Sequence, residues 1–483
     1  VSALAGTLAT RLPSAGALAA GLAIALLVIA ALVAVMRHHR DAFPLLAVFA
    51  LPFRLPISTD GRTVNLLIPL YLVVAAGTVA HLLPRLLGRD GLRDARADVE
   101  ASPARLAFWS SPRGVEWLLF AAVGLYALQT LYSSDRGKAA ENIAFFYVPF
   151  ALLFLILRDV RWTRQLLLRC LAIAVGLAVL FAGVGFVEYY RKSLFLNPKI
   201  VAANQYDNYF RVNSVFFDPS IYGRFLALVM VALTTAVLAR GLGAYDRLRR
   251  RDVLIGGAVL LWLLAGLVTS FSQSSIAALV LGLAVLGAWS WGVRPAAYVS
   301  VAVLVLAGAF VALAPSSLHF GLKGSGGGAN NATSGRGNLI LGGLELFAER
   351  PLEGYGAGSF ETEYKRQHST SGTENAVSAS HTIPVTVAAE QGIVGLALYV
   401  ALLLAAFAVL FRGAGRSPPR IAIAACFAAL VLHTWTYADF LEDPSTWLLL
   451  AIGLALARAS AADVGDPGAQ ETVLGAGAPA SSF

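Results

Sequence analysis

Three residues far apart along the chain carry side chains suited to group transfer: His381, Arg211 and Arg336. His381 opens the run His381-Thr382-Ile383-Pro384, where a new apolar helix begins. Thr382 suits the N-cap and Pro384 the first turn, so the imidazole is pinned beside the positive end of a helix. That environment favours the neutral ring, the form able to accept a proton from a hydroxyl. A polar interface histidine with no chemical task fits the position equally well. Arg211 leads into Val212-Asn213-Ser214-Val215-Phe216-Phe217-Asp218-Pro219. Asp218 and Pro219 read as N-cap and N1 of the next span, which accounts for Asp218 without a further role. Arg211 has no such local reason, and a guanidinium held there suits a phosphate or pyrophosphate, which it binds bidentately. Arg336 stands in the first turn of a helical stretch, where a lone cation opposes the dipole; a surface arginine and an anion contact both remain open. Arg136, Lys138, Arg191, Lys192 and Arg224 would widen the same basic funnel.

The elements that must position these groups are membrane spans. The chain is 58% hydrophobic and only 13% charged, against about 25% charged in soluble domains. Apolar runs near the length needed to cross a bilayer as helix recur throughout. The expectation is an all-α, polytopic transmembrane bundle with a large extracytoplasmic loop containing short helices. Spans are expected at Ala15–Met36, Val64–Leu83, Val115–Leu131, Ile143–Leu157, Leu166–Val187, Ile221–Leu238 and Val253–Thr269. Ser275–Trp291, Ala297–Leu313, Ile393–Phe411, Ile421–Tyr437 and Thr446–Leu456 follow. Phe43–Ile57, broken by three prolines, is either a kinked crossing or a re-entrant piece, giving roughly 12 or 13 spans. The first apolar helix is a full span rather than a short h-region, so no cleavable signal is expected.

The net charge of +9 invites a nucleic-acid reading, but the arginines cluster in short connections: Arg37 and Arg40, Arg85 to Arg96, Arg158 to Arg164, Arg247 to Arg251, and Arg412 to Arg420. Basic short loops mark the cytoplasmic side. With them inside, 188–219 and 315–391 fall outside. The organisation is therefore a first part of the bundle (1–314, with outer loop 188–219), a large extracytoplasmic catalytic loop (315–391), the last spans (392–458) and a disordered cytoplasmic tail (459–483). If Phe43–Ile57 crosses, Arg37 and Arg40 lie inside; if not, they lie outside.

Within the large loop, Gly324–Asn331 has flexible-linker chemistry. Ile340, Leu344 and Phe347 make one apolar stripe that ends at Pro351. Gly354-Tyr355-Gly356-Ala357-Gly358-Ser359-Phe360 lacks the strand a dinucleotide fingerprint needs, and reads as a turn for tight backbone packing. Glu361–Gly372 reads as a solvated helix face. The turn Ser270–Ser275 either hydrogen-bonds a sugar or satisfies backbone. Cys170 and Cys426 lie in apolar helices and imply no disulfide framework. No metal set is expected, since Asp60 is alone in its loop and Glu442-Asp443 reads as a helix cap before Pro444.

His381-Thr382, nine residues and then Gly392-Ile393-Val394-Gly395 resemble the ligase motif of the O-antigen ligase and O-antigen polymerase superfamily. Two further stretches resemble the same superfamily: Ser334-Gly335-Arg336 leading to Arg350-Pro351-Leu352-Glu353-Gly354-Tyr355-Gly356, and Arg211 ahead of Phe217-Asp218-Pro219. Thr382 stands where Asn, Ser or Gln is more usual, and the Ser270 turn lacks a Ser-Arg pair, so ligase, polymerase and protein-glycosylating subfamilies stay open. The resemblance implies glycan transfer, without cofactor or metal, from a polyprenyl-diphosphate donor to a glycan or glycolipid acceptor outside the bacterial cytoplasmic membrane. It implies His381 at the acceptor hydroxyl and Arg211 with Arg336 at the donor diphosphate. The alternative is a lipid-linked oligosaccharide flippase or other polysaccharide transporter, which would place ionisable groups at mid-membrane; these spans are nearly free of charge.

Overall fold

Long apolar runs satisfy every backbone N–H and C=O without water in only one local way, the α-helix. The computed structural model describes residues 15–59, 62–87, 108–194, 210–241, 250–296, 298–299, 336–368, 380 and 382–465. Ten helices among them are long and apolar enough to cross a bilayer. The fold is a multi-pass helical bundle, as expected. Its first helices are α1 (Ala15–His38), α2 (Ala42–Ala50), α3 (Ile68–Gly77), α4 (Leu83–Leu87), α5 (Pro112–Gln129), α6 (Arg136–Asn142), α7 (Val148–Leu157) and α8 (Arg164–Arg191). Then come α9 (Pro219–Gly241), α10 (Arg250–Thr269), α11 (Gln273–Trp291), α12 (Arg336–Glu349), α13 (Phe360–His368), α14 (Ile383–Phe411), α15 (Pro418–Trp435) and α16 (Pro444–Gly465). The expected span Ala297–Leu313, apart from 298 and 299, and the linker Gly324–Asn331 lie outside the described residues.

The second apolar stretch differs from a single kinked helix. α2 has 9 residues, about 14 Å of rise. After it the chain enters a two-stranded hairpin, β1 (Leu55–Thr59) antiparallel to β2 (Arg62–Leu66), with Ile57 opposite Val64. Residues on either side of Asp60-Gly61 have the pattern of a tight hairpin, and this takes Val64–Leu66 from the span expected there. The segment still runs from one end of the bundle to the other. Asp41 pairs with Arg169 at 3.3 Å, near the arginine-rich start of α8. Arg54 instead lines a cavity with Arg224 and Asp443 at the opposite end. Arg37 and Arg40 therefore share an end with the other arginine-rich connections, which favours the crossing alternative.

That basic end is held by ion pairs. Arg85 meets Asp159 at 2.6 Å, and Glu116 of α5 bridges Arg158 at 2.9 Å and Arg458 of α16. The middle is apolar. α9, α11 and α15 approach closely because their contacts are small: a Cβ on Gly282 of α11 would fall 2.5 Å from Val231 of α9, with Ala429 of α15 next to it. Small residues at such crossings are how helices pack where lipid removes the hydrophobic drive. Phe154 meets Trp447 edge-on at 6.3 Å, and Phe181 meets Phe216 at 5.5 Å.

Three local expectations change. The stretch Ser133–Glu141 is not all loop: Asp135 Oδ1 accepts Lys138 N–H at 2.9 Å and caps α6, which a π turn at Ile143–Tyr147 joins to α7. In α12 the buried face is Leu339, Gly343 and Leu346, while Leu344 is exposed. Glycine decides this, since a Cβ on Gly343 would fall 2.5 Å from Val385 of α14, so the helix docks through the side it lacks. Finally, α16 stays helical to Gly465, beyond the start of the expected tail.

Candidate active site

The large loop is anchored where α14 breaks. Gly392 has φ 65° and ψ −164°, a region open in practice to glycine alone. The chain 350–360 wraps that break. Ile393 N–H donates to Pro351 O at 2.7 Å, while Tyr355 and Gly356 N–H donate to Ala389 O and Glu390 O at 3.2 and 2.8 Å. Gly354, at φ 67°, lies so close that a Cβ would fall 2.3 Å from Glu390 O. The glycine run thus serves tight backbone packing, as expected. The Glu390 carboxylate accepts N–H from Gly358 at 2.9 Å and Phe360 at 3.1 Å, capping α13 from a different helix. From the α5–α6 connection, Ser133 Oγ donates to Ala357 O at 2.8 Å and Tyr132 to Glu353 O at 2.8 Å.

His381 lies outside the described residues, but its neighbours do not. Thr382 is the N-cap of α14 and Pro384 is in its first turn, as expected, yet the Thr382 hydroxyl makes no capping bond. Ser380 organises the entry instead. Its Oγ donates to Thr382 O at 2.7 Å, accepts Thr382 N–H at 3.2 Å and lies 2.8 Å from Thr386 Oγ1. Arg336 begins α12, whose Gly343 packs on Val385 of α14.

Arg211 Nε donates to Ser270 O at 3.4 Å, and Val212 N–H to Thr269 O at 3.2 Å. Ser214, at φ 53°, fixes the next turn through its N–H to Glu188 Oε2 at 2.7 Å and its Oγ to Phe181 O at 2.8 Å. The serines of the Ser270 turn face inward. Ser275 Oγ donates to Ser220 O at 3.1 Å and lies 3.1 Å from His433 Nε2, with Ser274 Oγ at 3.4 Å from the same nitrogen. Of the two roles left open for this turn, it takes the internal one.

Asp218 and Asp443 are both helix caps, as read. Asp218 Oδ1 accepts Ser220 N–H and Asp443 Oδ1 accepts Ser445 N–H, each at 2.6 Å. Tyr437 also hydrogen-bonds Asp218. Arg224 departs from the funnel: it is 2% exposed, forms an ion pair with Asp443 and donates to Ala438 O at 3.4 Å. Removing one partner from such a buried pair costs about 3–5 kcal/mol, so its first role is to join α9 to α16. Lys138 is held by Glu141 at 3.1 Å, while Arg136 and Arg191 are exposed.

The Gly392 loop and α12 are joined through α14, where Gly343 packs on Val385, while the Arg211 turn is joined to the Ser270 turn. Residues 258–400 match the O-antigen ligase family model. No curated protein matches the chain. The O-antigen ligase match includes Ser270–Ser275, Arg336, Gly354–Phe360, His381 and Gly392–Gly395, and stops short of α15 and α16.

Pattern reading missed one carboxamide and two carboxyl groups. Asn142 Nδ2 donates to Glu442 Oε1 at 2.9 Å and to the Tyr126 hydroxyl at 2.8 Å. Glu442 is therefore not part of the Asp443 cap but a tie between α6 and the start of α16. Its signal was a carboxyl beside a cap that needed only one. Glu390 was missed too, although it is the carboxyl directly ahead of the G-x-x-G glycines. Burial pushes the Glu442 carboxyl up to about 8, with Asp439 adding, Lys138 opposing, and Glu390 and Glu141 adding further. The folded chain prefers this carboxyl neutral. Its contribution to stability is thus complete below the ordinary carboxylate range and is lost as pH rises through about 8. Thermal unfolding of the purified protein should move down by roughly a few degrees between pH 6 and pH 9. Glu442→Gln should flatten that slope; an unchanged slope would exclude Glu442 as its source.

Proposed function

We infer that the protein transfers or polymerises a glycan from a polyprenyl-diphosphate-linked donor onto an acceptor hydroxyl, at the extracytoplasmic side of the bacterial cytoplasmic membrane. The observation that carries this reading is the O-antigen ligase match over residues 258–400. The gathering of the polar loops at the end opposite the arginine-rich connections supports it. Acceptor oxygen attacks the anomeric carbon in a single inverting displacement. The bond from that carbon to the diphosphate breaks, and polyprenyl diphosphate leaves with the electron pair. His381 accepts the hydroxyl proton, while Arg211 and Arg336 stabilise charge developing on the leaving diphosphate. Asp218 supports the arrangement by capping the start of α9. A flippase would need a polar route across the bilayer, and among the described residues the charged side chains of the spans lie near helix ends.

The test incubates purified protein with a polyprenyl-diphosphate glycan and candidate acceptors. Arg211→Ala and Arg336→Ala should each lower kcat/KM by roughly 10- to 100-fold, the loss of one charge-assisted contact. Arg37→Ala and Arg40→Ala should have little effect. Equal losses at both ends of the bundle would remove the diphosphate assignment.

A further inference from the structure

Arg54 stands outside every basic group considered so far. It is half-buried and lines a cavity between the end of α2 and the starts of α9 and α16, with Arg224, Asp443 and Ser445 and apolar walls that include Phe216 and Pro444. The charges lining that cavity do not cancel. Arg224 and Asp443 neutralise one another in their ion pair, which leaves the Arg54 guanidinium over. Among the described residues no ion pair takes it up. A lysine in this position could lose its proton, but a guanidinium cannot. A retained cation against apolar walls calls for an anion.

The surroundings define which anion fits. Two helices begin at the cavity, at Pro219 and Pro444, and their positive dipole ends add to the field. The wall residue Ile221 follows Ser220, whose carbonyl accepts from the Ser275 hydroxyl. That places the cavity beside the turn on which Arg211 rests. It lies between helices, and Phe53 next to Arg54 packs inward on Phe181 at 5.8 Å.

We propose that Arg54 binds a phosphate oxygen in this cavity, supplied by the diphosphate of the lipid-linked donor and shared with Arg211. This rests on the glycan-transfer reading above. A phospholipid headgroup offers the same oxyanion, so the experiment separates the two sources. Full-length protein in detergent is titrated with undecaprenyl diphosphate and, separately, with phosphatidylglycerol, for wild type, R54K and R54A. Wild type should bind the polyprenyl diphosphate. R54A should bind it roughly 10- to 100-fold more weakly, and R54K should fall between, since an ammonium keeps the charge without the planar fork. Phosphatidylglycerol binding should be the same in all three. If both variants bind undecaprenyl diphosphate as wild type does, Arg54 is not on the diphosphate, whatever becomes of the transfer reading. If wild type itself fails to bind it, the transfer reading falls instead. Loss of phosphatidylglycerol binding in the variants would make this a headgroup site and overturn the donor assignment. Should R54A fail to elute as a folded species, R54K decides alone, and wild-type affinity there overturns the proposal.

Discussion

Substituting His381 with alanine is expected to lower glycan transfer by roughly 10²- to 10⁴-fold, the usual worth of a positioned general base, while donor binding stays at the wild-type level. The expectation rests on what flanks the residue. Ser380 bonds to the backbone on both sides of Thr382 and to Thr386, so the entry to α14 is fixed at the residues either side of position 381. In the proposed mechanism an imidazole there serves the acceptor and not the donor. The loss should therefore appear in kcat at saturating donor, and the variant should lose the dependence of rate on imidazole protonation. A variant that transfers sugar at the wild-type rate would end the base assignment.

The second large effect belongs to Gly392. A residue with a Cβ at φ 65° and ψ −164° costs about 1–3 kcal/mol in backbone strain alone. The added carbon would also fall 2.1 Å from Leu352 O, a backbone atom that can give way only if the 350–360 loop moves off the helix. Gly392→Ala should thus release several bonds together: Pro351 with Ile393, Tyr355 with Ala389 and Gly356 with Glu390. The expected outcome is loss of transfer activity with a lowered unfolding temperature. Gly176→Ala is the comparison, because a Cβ there meets nothing within 4 Å and should leave both unchanged. If Gly392→Ala melts and transfers like Gly176→Ala, the break in α14 does not hold the loop.

The bundle was readable from composition because apolar runs of span length admit one backbone solution. The helix caps were readable too, since Asp-Pro at 218 and 443 states its geometry locally. What pattern could not reach were contacts set by absence or by distance along the chain. Gly343 redirects the buried face of α12 because it has no side chain, so counting apolar positions chose Leu344 wrongly. The hairpin at Leu55–Leu66 was hidden by its own apolar residues, which favoured helix by number while their alternation favoured strand. Arg224 reads as part of the basic funnel because its partner, Asp443, stands about two hundred residues later in sequence. Glu390 and Glu442 are quiet in sequence for the same reason: each is defined by what it bonds, Gly358 and Phe360 in one case and Asn142 in the other.

The ties at the two rims of the bundle bear on how this protein meets membranes of different thickness. Asp41–Arg169 and the Glu116 bridge hold helix heights at one level, and Arg224–Asp443 with Ser275–His433 hold them at the other. Neighbouring helices cannot slide past one another to lengthen or shorten the assembly without breaking a rim. Mismatch must then be absorbed by stretching or thinning of the surrounding lipid, and the depth of each rim is set by the polypeptide and not by its host bilayer.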